Sequence, residues 1–303
     1  MSSPQGVTGN IFLLFDFSRG RQALLSVAQP ILGALLAARG LPSAPVVTLG
    51  LIAATAGSLS VFAANDLFDR EADAKAWADG HGRNDSRYDL DIVSLPHPLA
   101  AGALSPRLAY GWVGGLAALA LISAWAIRPL CALIFVLCAV LEFLYCRLKQ
   151  RTWLKTLPAG LMVGLGGLAG WFAAGGPAAG APALLILLAV WEVAGRNLPN
   201  DLADASADRP LGITTVATVF GPHVAGRWIL AGSLLMPLLA LLQPGSWTLR
   251  LVLAGAALWL MAIPALGLVR SADEAQAQAY FNVASFYPVA AAAGTAAVFL
   301  LRA

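Results

Sequence analysis

Charged residues are scarce in this chain. Asp, Glu, Lys and Arg together make up 12% of its 303 residues, whereas soluble domains carry about a quarter. Hydrophobic residues make up 59% of the chain, and the mean hydropathy is +0.74. This balance excludes an ordinary soluble domain and predicts an all-α, polytopic membrane protein.

Cysteine is also rare, with only Cys131, Cys138 and Cys146 present. An odd number of cysteines without a CxxC pair provides neither a disulfide framework nor a zinc site. We therefore expect these side chains to pack as small hydrophobic groups. The net charge of +3 gives no indication of nucleic-acid binding, and we expect no nucleic-acid partner.

Long apolar segments occupy most of the sequence. A helix needs about 20 residues to cross about 30 Å of hydrocarbon. Segments of this kind lie at 22–38, 46–64, 107–127, 129–146, 155–174, 182–200, 223–242, 249–269 and 281–301. The sequence therefore predicts about nine transmembrane helices in one integral-membrane domain, residues 1–303.

The distribution of positive charge gives an orientation. With the N-terminus in the cytoplasm, only four of the 19 basic residues fall on the outer side: Arg39, Arg128, Arg250 and Arg302. Cytoplasmic loops of membrane proteins carry such an excess of Lys and Arg. We expect a multi-pass protein of the cell or inner membrane, with the loops at 65–105 and 196–222 on the cytoplasmic side.

Two acidic stretches repeat one spacing. NDLFDREAD (65–73) and NDLADASAD (200–208) each follow an apolar segment. Offsets of three and four residues place the three Asp side chains of each stretch on one helical face. Such anions repel one another and are costly near lipid, so a cation is expected to hold them. Helix capping or solvation explains a single Asp better than it explains the repeat.

The ligand chemistry narrows the choice of cation. Carboxylate and amide oxygens are hard ligands, which favour magnesium, calcium or manganese over zinc or copper. Magnesium is typically held by one or two carboxylates plus substrate phosphates, which suggests a phosphorylated substrate. Four predicted helices separate the stretches, so the two motif-bearing halves insert in the same direction. Both stretches can then clamp one anion.

These motifs resemble those of the UbiA superfamily of membrane prenyltransferases, which carry N-D-x-x-D-x-x-x-D after the second helix and D-x-x-x-D after the sixth. RPLGITTVATVFG, 209–221, is similar to the family's continuation of the second motif. The resemblance implies a prenyltransferase with an isoprenyl diphosphate donor and two magnesium ions, or manganese in their place. It also implies that the catalytic residues, which bind the metal as well, are Asp66, Asp69, Asp73, Asp201, Asp204 and Asp208, and that Asn65 is a further metal ligand.

Other residues match by resemblance or by position. YCRLKQR, 145–151, is similar to the family's Y-x-x-x-K element. Candidate substrate-binding residues are Asn65, Arg21, Tyr145, Arg147, Lys149, Asn197 and Asn200, with membrane anchoring as the alternative for the basic ones. Glu192 and Arg196 can simply pair. Glu142 either recognises the acceptor or pairs with another helix.

The sequence departs from the family pattern in two places. His97 stands where the family's R-P-L-x-x-G element has arginine, so a contact that needs a permanent positive charge is in doubt at this position. The polar connection over 74–95 is long and could form a lid over the site.

The acceptor follows least directly from the sequence. We expect a small hydrophobic or aromatic compound of quinone or related lipid synthesis. The alternatives are a lipid, tetrapyrrole or sugar-phosphate acceptor, and terpene cyclisation. A cation-coupled secondary transporter is the rival from another class, and it predicts a site near the bilayer midplane.

Overall fold

The structure is a computed structural model that describes residues 7–78, 95 and 97–302. Within these ranges the chain is helical, joined by turns and short connections. The first eight helices are α1 (Val7–Phe17), α2 (Gly20–Ser26), α3 (Ala28–Ala38), α4 (Ala44–Ala78), α5 (Pro106–Ile127), α6 (Pro129–Leu148), α7 (Thr156–Ala173) and α8 (Ala181–Trp191). The others are α9 (Leu198–Ala203), α10 (Ala205–Asp208), α11 (Val216–Phe220), α12 (Pro222–Leu241), α13 (Trp247–Ala257), α14 (Ile263–Ser271), α15 (Glu274–Ala284) and α16 (Tyr287–Leu300).

Two wider turns interrupt the long helices. The π-helical segments Glu192–Asn197 and Leu258–Ala262 join α8 to α9 and α13 to α14. π-Helical turns are rare and often lie at functional sites.

Nine stretches of the described chain are long and apolar enough to cross a membrane. The first span is formed by α2 and α3, the sixth by α8 and α9, the eighth by α13 and α14, and the ninth by α15 and α16; α4, α5, α6, α7 and α12 are the others. Each overlaps one predicted segment, so the predicted all-helical bundle is confirmed. The additional helix α1 precedes the first span.

Local sequence explains the sharp turn between the third and fourth spans. Arg128 leaves α5 in an extended conformation, and Pro129 opens α6 at once. Proline suits the first helical turn because it needs no amide donor there.

Successive spans pack side by side. Helix α4 lies against α5, α5 against α6, α6 against α7, and α7 against α8. The first span closes the bundle, because α2 contacts α4 while α3 contacts both α7 and α16. Both acidic stretches lie at one end of the bundle, which we call the motif end. Helix α4 runs through the first stretch without a break.

Glycine allows the close contact between α3 and α7. A Cβ at Gly170 would overlap the carbonyl oxygen of Pro30, and one at Gly33 would overlap the carbonyl oxygen of Gly167. Small residues let membrane helices approach where no hydrophobic force drives them together. This contact holds the first span against the middle of the bundle.

Gly170→Ala tests that contact. We expect it to destabilise the protein by about 2 kcal/mol or more, because backbone must move to admit the methyl group. The measurement is the Tm of purified protein in detergent. Gly114→Ala on α5 is the matched control, since a Cβ there meets nothing within 4 Å. Equal Tm values for the two variants would contradict the proposed packing role.

Candidate active site

The first acidic stretch presents three described side chains to one cavity. Asn65 donates to Glu142 Oε1 at 2.8 Å and accepts from Lys149 Nζ at 3.2 Å. Lys149 also donates to Asp69. Glu142 therefore orients Asn65, which favours the pairing interpretation over acceptor recognition. Asp73 lies on the same helix, but its side chain falls outside what the structure describes.

Asp66 is buried between two basic groups. Arg19 Nη2 donates to Asp66 Oδ1 at 3.2 Å, and His97 Nδ1 lies 3.6 Å from Asp66 Oδ2. His97 can thus supply a positive contact at the position of the family arginine when its ring is protonated. A neutral ring would leave Arg19 as the main charge facing Asp66.

The second acidic stretch bends around Asp204. Asp204 lies outside helical geometry at φ −96° and ψ 6°, so α9 ends before it and α10 begins after it. Asn200 Nδ2 donates to Asp204 Oδ2 at 3.0 Å. The three carboxylates of this stretch therefore do not follow a single straight helix, which differs from the arrangement expected from their spacing.

Asp201 forms the most deeply buried ion pair of the site. Lys155 Nζ donates to Asp201 Oδ1 at 2.6 Å, and Lys155 is only 2% exposed. The other carboxylate oxygen, Oδ2, is buried without a hydrogen-bond partner. Breaking such a pair is costly because the remaining charge stays buried.

Tyr145 joins the two acidic stretches. Lys149 Nζ and Lys155 Nζ each lie 5.1 Å from the centre of its ring. Asn197, on the sixth span, donates to the Tyr145 hydroxyl at 3.4 Å. The Y-x-x-x-K element therefore lies between the two acidic stretches.

Both stretches line one cavity of about 1000 Å³. Described motif residues lining it are Asn65, Asp66, Asp69, Asn200, Asp201, Asp204 and Asp208. The cavity continues from the motif end to Gly50 on α4 and Ile127 on α5. Gly50 precedes Asp69 by 19 positions, which at about 1.5 Å per residue is roughly 28 Å along the helix. The cavity thus combines a charged end with a deep apolar part.

The remaining predicted residues fall in different places. Tyr145, Arg147, Lys149 and Asn197 line the cavity, with Arg147 exposed at its rim. Arg21 is exposed and is not among the residues lining the cavity, so its position differs from the expectation. The expected lid lies largely outside the described residues, because 79–94 are not described.

Sequence reasoning assigned no site role to Arg19 or Lys155. Arg19 has a left-handed conformation, φ 44°, at the break between α1 and α2. Helical periodicity therefore gives no guide to which of Arg19 and Arg21 faces inward. Lys155 sits at the start of the fifth span, where positive-inside anchoring was a sufficient explanation. Only the fold shows that Lys155 points into the bundle.

Electrostatics at the motif end act through burial and neighbouring charge. Burial, together with repulsion from Asp201 and Asp204, raises the pKa of Asp208 to about 7. Burial alone would lower the pKa of Lys149, but the Asp69 carboxylate, together with Tyr145 and Cys146, raises that pKa above its ordinary value. Lys149 therefore stays cationic, while Asp208 gives up its proton near neutrality.

No three His, Cys, Asp or Glu side chains among the described residues converge closely enough to hold a metal ion as they stand. The reason is visible in the contacts. Asp66, Asp69 and Asp201 are each drawn to a basic side chain of the protein. In this arrangement the protein's own cations neutralise these acids.

Fold and cavity together define a multi-pass membrane protein whose site suits a ligand with an anionic head and an apolar tail. The model of the UbiA prenyltransferase family matches residues 26–287. The chain belongs to the UbiA prenyltransferase family and is an enzyme of the prenyltransferase type. This membership, and a site at one end of the bundle, decide against the transporter expected as the rival.

Two curated relatives are named Digeranylgeranylglyceryl phosphate synthase. The protein from Methanopyrus kandleri is 30% identical over 202 residues, covering 64% of this chain and 73% of that protein. The protein from Thermococcus kodakarensis is 25% identical over 208 residues, covering 68% of each.

Solved structures share the fold. A UbiA homolog from Aeropyrum pernix superposes with a TM-score of 0.70 at 20% identity, covering 90% of this chain and 96% of that one. A UbiA homolog from Archaeoglobus fulgidus, solved with DMAPP and Mg²⁺ bound, gives 0.69 at 20% identity, covering 94% and 99%. At these identities the likeness supports the fold alone.

Asp208→Asn tests the electrostatics in metal-free protein. A carboxyl whose pKa is raised by folding binds its proton more tightly when folded, so the free energy of unfolding falls as pH rises from about 4 to about 7. Asp208→Asn has no titrating carboxyl group at this position, so its free energy of unfolding does not fall with pH for this reason. With a shift of about 3 pKa units at about 1.4 kcal/mol each, the gain above pH 7 is at most about 4 kcal/mol.

The measurement is Tm with chelator at pH 5 and pH 8, and the advantage of the variant should grow with pH. Asp273→Asn is the matched control, because Asp273 is an exposed N-cap and asparagine also caps helices. An equal Tm difference between variant and parent at both pH values would refute the assignment.

Proposed function

We propose that this enzyme transfers the prenyl group of an isoprenyl diphosphate to an acceptor, with the diphosphate bound between the two acidic stretches. The observation that carries the proposal is the meeting of both stretches with Arg19, Lys149 and Lys155 on one cavity. These stretches lie four spans apart in the sequence. Their convergence beside a deep apolar channel suits a substrate with a charged head and a prenyl tail.

The donor atoms fit magnesium. The motif side chains offer carboxylate and amide oxygens, the ligands that magnesium prefers. Asp201 Oδ2 supports the fit further, because it is buried on the cavity without a partner. Asn65, Asp66, Asp69 and Asp73 would hold one ion, and Asp201, Asp204 and Asp208 a second. When bound, the metal supplies positive charge that stabilises the leaving diphosphate.

The basic side chains have a second task in this proposal. Arg19, Lys149 and Lys155 neutralise motif carboxylates in the metal-free protein. With metal and donor present they are free to donate to phosphate oxygens, where charge builds up as the allylic carbon–oxygen bond breaks. Asn200 then orients Asp204, as it already does here.

Aromatic and apolar groups protect the reacting carbon. Tyr145 lies beside the lysines, and its ring face attracts positive charge such as that developing on an allylic carbon. The deeper walls, for example Ala54, Ala124 and Ile134, would surround the prenyl tail. A channel of roughly 28 Å supports a donor with a long tail, and its apolar lining limits attack by water.

Two acceptor classes are compatible with this site. The small aromatic acceptor expected from the sequence has no further support in the comparisons. The names of both curated relatives favour a glyceryl phosphate lipid instead. We take the lipid as the leading acceptor and a hydroxylated aromatic ring as the second.

The motif end faces the cytoplasm in this proposal. The excess of Lys and Arg at that end, including Lys149 and Arg147, supports this orientation by the positive-inside rule. A water-soluble metal ion can then reach the site without crossing the membrane.

Asp69→Asn and Asp204→Asn test the two-site clamp. Each is expected to abolish magnesium-dependent diphosphate release from an allylic donor, because each removes a metal-binding charge. The double variant should lose little more than either single one, since residues acting as one unit are strongly non-additive. Both positions are partly exposed, and Lys149 keeps the Asn65 Oδ1 acceptor when Asp69 is changed, so the Tm should fall only moderately. Asp201 is unsuitable because its loss would leave Lys155 buried and unpaired.

Diphosphate release is assayed with magnesium, with manganese and with excess chelator. Full activity in chelator, or substantial turnover by either single variant, would refute the clamp. A loss of about 1 kcal/mol in the free energy of unfolding, with activity retained, would point to helix capping instead.

An acceptor panel distinguishes the two acceptor classes. Purified protein with a C20 prenyl diphosphate is expected to prenylate a glyceryl phosphate ether lipid, detected as product by mass spectrometry. Matched reactions contain a hydroxybenzoate or a hydroxynaphthoate. Prenylation of an aromatic compound and not of the lipid would overturn the leading acceptor and restore the second.

A further inference from the structure

A cluster of polar side chains lies deeper in the cavity than the acidic stretches. This polar belt consists of Gln22, Ser26 and Gln29 on the first span, and Glu192, Arg196 and Asn197 in the π-helical segment of the sixth span. All six line the cavity, and none is more than 8% exposed. Arg196 precedes Asp201 by five residues, which places the belt about 7 Å further into the bundle.

Arg196 is held firmly in the middle of the belt. Its guanidinium donates to Gln22 Oε1 and to Ser26 Oγ, the latter at 3.3 Å, and lies 3.5 Å from Glu192 Oε2. The rings of Phe62 and Trp191 flank it at 5.7 Å and 5.5 Å. These contacts fix the first span against the sixth and account for the position of the arginine.

The contacts of Arg196 do not account for the remaining polar atoms of the belt. Four buried polar atoms of the belt lack a partner: Nε2 of Gln22, Nε2 of Gln29, Nε of Arg196 and Oδ1 of Asn197. Glu192 Oε2 has the ion pair with Arg196 but no hydrogen bond. Buried polar groups are nearly always hydrogen-bonded, so each exception calls for a cause. Four such atoms on one cavity wall, beside a carboxylate with spare acceptor capacity, indicate a ligand that carries both acceptor and donor atoms.

The belt and the wall suited to a prenyl tail come from different helices of the same cavity. The deep apolar lining comes mainly from α4, α5, α6 and α7, for example Ala54, Ala124, Ile134 and Met162. The belt comes from the first and sixth spans. A tail on the apolar wall and a polar head on the belt would then bring two substrates together just beneath the acidic stretches.

We propose that the polar belt is the acceptor subsite and that it binds an oxygen-rich head group carrying a hydroxyl. The amide and guanidinium N–H groups of Gln22, Gln29 and Arg196 donate to carboxylate or phosphate oxygens of the acceptor. The oxygens of Glu192 and Asn197 accept from its hydroxyl, which directs this nucleophile. A hydroxylated aromatic acid and a glyceryl phosphate lipid share this chemistry. The inference rests on the proposed function and names the substrate group that the site takes.

Gln29→Met separates recognition from structure. The substitution keeps the length of the side chain and removes a donor that has no partner in the protein. We expect the Kd for the acceptor to rise tenfold or more, because hydrogen bonds to charged groups are strong. The donor KM should change less than twofold. The Tm should not fall, since a buried unpaired amide is lost.

Gln243→Met is the matched control. Gln243 is fully buried away from the cavity, and its Nε2 donates to the carbonyl oxygens of Ala183 and Leu239. This change should lower Tm and leave acceptor binding unaltered. The two variants are thus expected to give opposite results. Gln29→Met should weaken acceptor binding without lowering Tm, and Gln243→Met should lower Tm without weakening acceptor binding.

The acceptor Kd is measured by calorimetry with a hydroxybenzoate and with a glyceryl phosphate ether lipid. Each is compared with an analogue whose acid oxygen is methylated. Methylation should raise the Kd for the parent protein about tenfold or more. In Gln29→Met, whose Kd for the unmodified acid is already raised, methylation should raise the Kd little further. The acid that shows this non-additivity identifies the source of the head group.

The outcomes separate the two proposals. If Gln29→Met binds both acids as the parent does, or neither acid binds the parent, the acceptor subsite is overturned, while magnesium-dependent diphosphate release still supports the proposed function. A lower Tm with unchanged Kd would assign Gln29 a structural role and also overturn it. Absence of diphosphate release from any prenyl donor would overturn both.

Discussion

Pairing between carboxylates and basic side chains across helices is the interaction on which the motif end depends. Lys149 reaches from the end of α6 to Asp69 on α4, Lys155 reaches from the start of α7 to Asp201 on α9, and Arg19 reaches Asp66. Each pair joins parts of the chain that are far apart in sequence. Burial makes such charges costly unless they are paired, so the pairs fix how the first, second, fourth, fifth and sixth spans meet.

The same pairs allow metal ions to replace the protein's own cations beside these carboxylates. Asp66, Asp69 and Asp201 each already have a cation beside them, and in the proposed function each such cation can bind phosphate instead. Adding metal and a diphosphate to the site introduces positive and negative charge together, so the local balance changes little. Asp208 differs because burial, together with repulsion from Asp201 and Asp204, raises its pKa to about 7. A bound cation would relieve that repulsion, which couples metal binding to proton release at this carboxyl group.

The sequence predicted the parts of the fold that depend on composition and local spacing. Apolar runs of about 20 residues located all nine spans, because hydrocarbon thickness imposes that length. The repeated stretches identified the same end of the bundle, because an even number of spans separates them. What the sequence could not supply was long-range partnership. Arg19 and Lys155 looked like ordinary membrane anchors, and only the packing of α1, α2 and α7 turns them towards Asp66 and Asp201.

Departures from regular helix mark the remaining positions that periodicity missed. On a regular helix, polar side chains spaced four residues apart from Glu192 to Asp208 would form one continuous row, but the π-helical segment and the bend at Asp204 change its direction twice. The extra residue in a π turn rotates the next part of the span relative to an ideal helix. Arg196 can therefore face the first span while Asp201 faces Lys155 on the fifth. Two different sets of contacts on one span are what allow a polar belt and a diphosphate clamp to lie one above the other in the same cavity.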